Sequence, residues 1–356
     1  MAALRLRDRD AIVTKEGLIF RVFGNSHPSD AYICDVEYAS SNIFKSANPK
    51  AYRNGEQGVF YKFYEDEGAK FIGAYYSHHL IFHEMLQSDV VGVNQSNIAE
   101  WRKPNEKLQE IMGKKPRDEL MEALHVVLDF TAEHSGLSAR NFGVFGSLLH
   151  DFYHPQFSDL DFIIYGIEEL AKLRETLQEM FKDKRAILKN EFENQKPVES
   201  KHWRFKNFSA KEFVWHQQRK LIYTLFNSRK GRRIIKTEFE PVKDWKEIFN
   251  EYDSKTRISQ KGWVKMLARI TNDDDAPFIP SVYGVEPLSI RKGVREAEEV
   301  VRIVSYMEEF RLQAFKDEKV YVEGNLEEVT SPKSNFHQIT LTYCPRYYEQ
   351  ALKVIS

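Results

Sequence analysis

The sequence predicts an α+β chain in which a central α/β domain, residues 111–250, lies between a β-rich N-terminal module (1–110) and a β-rich, barrel-like C-terminal module (251–356). Three observations carry that prediction. Both ends of the chain alternate apolar and polar residues at the strand period, the middle carries apolar residues at helical spacing, and helix and strand patterns alternate between residues 118 and 181.

In the N-terminal module, "AIVTKEGLIFRVFG" reads as two β-branched runs around Lys15-Glu16-Gly17, followed by the turn-rich "NSHPSD" and the run "AYICDV". Pro104 and Pro116, in a polar stretch, mark the joint to the next region. From Asp118 to His134, Leu120, Leu124, Val127 and Leu128 recur at helical spacing, and Ser135-Gly136 supplies a stop. A strand through Phe145 follows, then a short helix from Ser147, a turn at "HPQFS" and a strand from Leu160 to Tyr165. An amphipathic helix with Leu170, Leu173, Leu177 and Phe181 completes the series. Past Trp245, "GWVKMLARITNDDDAPFIPSVYG" reads as a strand, an acidic turn at Asp273 to Asp275 and a second strand. "EKVYVEGNLEEV" and "HQITLTYC" read as two more. Residues 293–315 fit helix and strand equally.

Composition excludes several function classes. Fifty-two Lys and Arg against 53 Asp and Glu leave a net charge of -1, so the chain as a whole is not built to bind polyanions. Two cysteines, Cys34 and Cys344, without metal-ligand spacing fit a reducing compartment rather than a disulfide framework. Charge fills the first ten residues, and no run approaches the ~18 apolar residues of a membrane span. The expected location is the cytoplasm, with no membrane partner.

The chemistry concentrates in "FGVFGSLLHDFYHPQFSDLDFIIYG", residues 142–166. Asp159 and Asp161 stand two apart in a strand pattern, so both carboxylates face the same way. Such a like-charged pair neutralises itself unless cations lie between its members, and hard oxygen donors suit Mg²⁺ or Mn²⁺. Gly146 and Ser147 sit at a strand-to-helix turn, where a missing side chain and unpaired backbone N–H groups admit a phosphate. A phosphate cradle beside a metal-binding carboxylate pair is suited to in-line phosphoryl or nucleotidyl displacement.

"FGS", eleven intervening residues and "DLD" resemble the signature of the DNA polymerase β-like nucleotidyltransferase superfamily. The whole chain, including "RDRDAIVTKEGLIFRV" and "YICDVEYA", also resembles a group of uncharacterised predicted nucleotidyltransferases of archaea. The resemblance implies a central nucleotidyltransferase fold that uses an NTP and Mg²⁺ or Mn²⁺. Gly146 and Ser147 would bind nucleotide phosphates, with Ser158 shaping the turn beside them, and Asp159 and Asp161 would hold the metals. It further implies a third catalytic, metal-binding carboxylate on a later strand. "IIKTEFEPV" offers Glu238 and Glu240 on one face; Glu238, flanked by Thr237 and Phe239, is preferred, and Pro241 departs from the family pattern. The expected reaction is transfer of NMP to a hydroxyl acceptor with release of pyrophosphate. The alternative is a catalytically silent protein of the same fold that binds nucleic acid or acts as a scaffold.

Residues 201–236 hold eleven Lys or Arg, one Glu and seven aromatics, including Trp203, Phe205, Trp215 and Tyr223. That mixture makes RNA the first acceptor to consider, with Arg229, Lys230, Arg232 and Arg233 contacting phosphates. The bland reading is an apolar core with a solvated cationic face. His79 and His83 stand four apart before Glu84 but lack the zinc-protease order, and ordinary satisfied or exposed histidines are expected there. His150 and His154 lie near the proposed site.

Overall fold

In the computed structural model, which describes residues 4–55, 58–183, 185–193, 204–228 and 233–355, the chain forms two compact units. The first comprises Met1–His83, Ser88–Lys189 and Thr224–Tyr252; the second comprises Glu84–Gln87, Asn190–Tyr223 and Asp253–Ser356. The described residues make a mixed α+β structure of three sheets and five helices, mostly strands.

The first sheet grows from the alternating runs at the N-terminus. Its strands are β1 (Ala11–Thr14), β2 (Leu18–Val22), β3 (Ala31–Ser40), β4 (Tyr52–Gly55), β5 (Gly58–Lys62), β6 (Leu80–His83), β7 (Ser88–Asn94) and β8 (Ile98–Arg102). They pair in the order β4-β5-β3-β2-β1-β8, with β7 joining β3 and β6 joining β7. Helix α1 (Glu67–Tyr75) lies between β5 and β6 and buries Ile72 in the cluster of Ile12, Leu18, Phe20, Val36 and Val93.

Helix α2 (Pro104–Met112) has proline in its first turn, where no N–H partner is lost. Helix α3 (Glu119–Ser135) begins where the Asp118 carboxylate accepts from the backbone N–H groups of Leu120 and Met121. It ends at Gly136, whose φ of 66° is the left-handed conformation that favours glycine at a helix end. Its buried face is Leu120, Leu124, Val127 and Leu128, the residues whose spacing predicts it.

A five-stranded sheet follows. Strands β9 (Phe142–Val144) and β10 (Leu160–Tyr165) lead into helix α4 (Ile167–Lys182), which buries Leu170, Leu173, Leu177 and Met180. After β11 (Leu188–Asn190) and helix α5 (Ala210–Lys220) come β12 (Tyr223–Ser228) and β13 (Arg233–Val242). The sheet order is β11-β12-β13-β10-β9, with β10 and β13 parallel and β9 antiparallel to β10. The helix expected from Ser147 is absent: residues 146–151 form successive turns. Leu149 and Phe152 are drawn into a cluster with Ile19, Tyr38 and Phe60 of the first sheet, and Asp151 takes φ of 55°, which a helix does not allow.

In the second unit, β14 (Arg257–Asn272), β15 (Ser281–Lys292), β16 (Val300–Ser305), β17 (Lys319–Thr330) and β18 (Asn335–Leu341) pair in a ring, β14-β15-β16-β18-β17 and back to β14. Every strand of the ring thereby has two neighbours, and no edge among these five is left open. β19 (Ala351–Val354) pairs with β17. Val264, Met266, Tyr283, Ile303, Val322 and Ile339 lie in its core. The ambiguous residues 293–315 contribute strand β16, and Asp273 to Asp275 form the expected turn. Among the described residues, no helix is long and apolar enough to cross a membrane.

Candidate active site

Parallel pairing of β10 with β13 brings the carboxylates together. Asp161 lies directly opposite Glu238, and Ile163 opposite Glu240. Opposed residues in a ladder share a face, so Asp161, Ile163, Glu238 and Glu240 project from one side. On the other side Phe162 stacks on Phe239, with ring centroids 5.3 Å apart. The sheet is therefore apolar on one face and acidic on the other at the same three residue levels. Asp159 is exposed just before the strand, Asp161 and Glu238 are partly buried, and Glu240 is buried.

The two glutamates have different surroundings. Glu240 accepts from the Arg9 guanidinium through Oε2 at 2.7 Å, and both side chains are buried. Arg9 also lies 5.4 Å from the centre of the Phe145 ring. This ion pair ties Glu240 to the segment before β1, while Glu238 stands directly opposite Asp161 in the ladder. Sequence reasoning missed the partner. The charge-dense "RDRD" at residues 7–10 is wholly buried rather than a solvated terminus, and Arg7 stacks 3.6 Å over Tyr165 on the same face of β10. A charged tetrad set directly before a strand was the signal available.

Burial raises the Asp161 carboxyl from 3.8 to about 7. The Asp159 charge adds to the rise, Lys62 opposes it, and Glu240 and Glu37 reinforce it. Glu37 on β3 and Lys62 on β5 thus extend the electrostatics of the site to the first sheet. A carboxyl raised this far gains from any further cation placed against it. The donors are carboxylate oxygens, the set preferred by Mg²⁺ and Mn²⁺, so the residues fit the metal that the family resemblance implies.

Gly146 stands against this cluster. Its φ is 61°, and a Cβ placed on it would lie 2.8 Å from Asp161 Oδ2. The chain can bring its backbone this close to the carboxylate only because the side chain is missing. The Phe145 N–H donates to the Asp161 carbonyl at 3.0 Å, and the Phe152 N–H to the Ser147 carbonyl at 2.8 Å. The Gly-Ser segment is thus tied to β10 at one end and closed into a turn at the other. With no helix there, the backbone amides of this turn have no helix dipole behind them.

Ser158 shapes the approach to Asp159: its hydroxyl accepts from the His154 N–H at 2.8 Å, and its own N–H donates to the His154 carbonyl at 3.0 Å. Arg233, expected to meet an acceptor phosphate, instead donates to the carbonyls of Pro155, at 2.8 Å, and Ser158. Its planar fork suits two adjacent carbonyls, so it braces the loop before the aspartates. Arg229, Lys230 and Arg232, with Trp203, lie outside the described residues. Three cations of the basic stretch are engaged within the second unit. The Lys220 ammonium is fully buried and donates to the Glu309 carbonyl at 2.6 Å, Arg219 pairs with Glu318, and Lys206 pairs with Glu349 at 2.9 Å.

His150 does not face the carboxylates. Its Nδ1 accepts from the Arg102 guanidinium at 3.1 Å, and burial, with the charges of Arg102, Lys107 and Lys62, pushes it well below the usual histidine range. A cavity of about 320 Å³ beside it is lined by Arg102, Lys103, Glu106, Lys107 and Asp151. The carboxylate cluster does not line this cavity. His154 is exposed and accepts from the Gln156 N–H at 3.1 Å.

In comparison with known proteins, the chain is similar to an uncharacterized protein of Methanocaldococcus jannaschii. The two are 28% identical over 349 residues, covering 92% of each chain. No family model matches the sequence, and no solved structure matches it.

Proposed function

We propose that this protein is a divalent-metal-dependent nucleotidyltransferase that moves NMP from an NTP to a hydroxyl acceptor. The observation that carries the reading is the pairing of Asp161 with Glu238 across parallel strands, with Asp159 two residues before and the Gly146 backbone against the Asp161 carboxylate. Asp159, Asp161 and Glu238 would hold Mg²⁺ or Mn²⁺, which would supply charge neutralisation and Lewis-acid polarisation to the nucleotide phosphates. The backbone of Gly146 and Ser147 receives the phosphates. The acceptor oxygen bonds to the α-phosphorus as the bond to the bridging oxygen breaks. Pyrophosphate leaves with the electron pair, and the hydroxyl proton passes to Glu238.

RNA remains an acceptor to test rather than the preferred one, because Arg233 serves the loop and the other described cations named above have partners of their own. The experiment is incubation with each α-³²P-labelled NTP, Mg²⁺ or Mn²⁺, and in separate reactions cellular RNA, protein or small metabolites. Label should enter one acceptor class with the native chain and none with Asp161→Asn. NTP binding without transfer to any class would favour the catalytically silent alternative.

A further inference from the structure

We propose that Glu16, His78 and His79 form a Zn²⁺ site on the N-terminal sheet, separate from the carboxylate cluster. Glu16 sits in the turn joining β1 to β2, and the two histidines form a single 3₁₀ turn, Ser77–His79, between α1 and β6. Folding brings together residues more than sixty positions apart. His78 Nε2 is 3.2 Å from Glu16 Oε1, and His79 Nε2 is 3.9 Å from Glu16 Oε2. One ligand atom from each residue falls within 4.8 Å of the others. In a tetrahedral zinc site with bonds of about 2.0–2.1 Å, neighbouring ligand atoms stand about 3.3 Å apart. These spacings need only small side-chain adjustments to close on one ion.

His79 supplies the second observation. Its side chain is 0% exposed, and neither ring nitrogen closes a hydrogen bond of normal geometry: Nε2 stands 3.9 Å from Glu16 Oε2, itself unmet, and the Gly92 backbone interacts with the ring only weakly. An imidazole buried with both nitrogens unmet is costly unless something satisfies it. Two imidazoles and one carboxylate make a donor set for zinc rather than magnesium, and three protein ligands leave one position for water. His83 has no part in it: it ends β6, and its ring packs edge-on against Tyr252 at 5.1 Å. The four-residue spacing of His79 and His83, already set aside in the sequence for lack of the zinc-protease order, plays no part in this site.

The test uses the full chain carrying Asp159→Asn and Asp161→Asn, so that the carboxylate cluster contributes no metal binding. Zn²⁺ is titrated against a chromophoric chelator, and Co²⁺ is used in parallel to report ligand geometry through its visible absorption. The expected result is one equivalent bound, a Co²⁺ spectrum of four-coordinate type, and a rise in Tm with added Zn²⁺. His78→Ala, at a half-exposed position, and Glu16→Gln should each weaken Zn²⁺ binding by about 100-fold, with circular dichroism unchanged. Failure of the parent chain to bind an equivalent, or equal affinity in folded His78→Ala, would overturn the proposal.

Discussion

At neutral pH the Asp161 carboxyl is near its midpoint, about 7, well above the ordinary 3.8. In the unfolded chain the group ionises first, so the native state binds more protons across the interval from about 4 to about 7. Its contribution to stability therefore falls as pH rises through that window and is fully unfavourable above it. The full shift corresponds to about 4 kcal/mol, reduced to on the order of 2 kcal/mol because Asp161 is partly solvated. Urea unfolding in EDTA should show Asp161→Asn more stable than the native chain at pH 8 and equal to it near pH 4. Adding Mn²⁺ at pH 8 should stabilise the native chain and leave the variant unmoved. Asp10, also raised to about 7 by burial, adds a similar slope to both proteins and cancels in the difference. At Gly146, valine meets both a left-handed φ and the Asp161 carboxylate. Gly146→Val should cost about 1–3 kcal/mol and abolish NTP binding in calorimetry while the far-ultraviolet circular dichroism remains native.

Arg9 and Glu240 link the segment before β1 to β13. Removing one member of a buried pair leaves a charge without compensation. Arg9 also stands 3.7 Å from the buried Asp8 carboxylate, so Arg9→Met should destabilise by about 3–5 kcal/mol, and Arg9→Met with Glu240→Leu should recover only part of that because Asp8 still loses its Arg9 contact; denaturant midpoints of the two variants decide it. Arg233 acts on a loop instead of an element core. Arg233→Ala should release residues 155–158, increase protease cleavage there and lower Mn·NTP affinity several-fold, with little change in Tm. Local pattern made much of this level legible. The strand at Leu160–Tyr165 and the helix ending at Gly136 follow from periodicity and capping within a few neighbouring residues. The turns after Ser147 did not, because Leu149 and Phe152 obey contacts with Tyr38 and Phe60, about 90 to 110 positions away. The strand carrying Asp161 was readable from alternation; that Glu238 would stand opposite it, and that Glu240 would meet the distant Arg9, were not.

On the scale of the whole molecule, a net charge of -1 means that any polynucleotide contact must come from a local group of cations. The stretch 201–236 promised many by composition. Composition could not show that Lys220 is buried beneath the Glu309 carbonyl or that Arg219 and Lys206 have acidic partners. If RNA is the acceptor, Arg229, Lys230 and Arg232, which lie outside the described residues, are the cations that the sequence reading expects to contact it. Filter binding across a salt series should then give a slope near -2 for log Kobs against log[salt], about 0.7 per phosphate contact, and a flat line after triple replacement by serine. A native slope far steeper than this would place the contacts on other residues.

The central claim is that Asp159, Asp161 and Glu238 bind a divalent cation together with a nucleotide. It is tested most directly by calorimetric titration of Mn·ATP and the other Mn·NTPs into the native chain, Asp161→Asn and Glu238→Gln. The account predicts 1:1 binding of at least one NTP to the native chain, requiring Mn²⁺ and lost in both variants while their circular dichroism is unchanged. Binding that persists undiminished in the folded variants, or that is the same in EDTA, would contradict it.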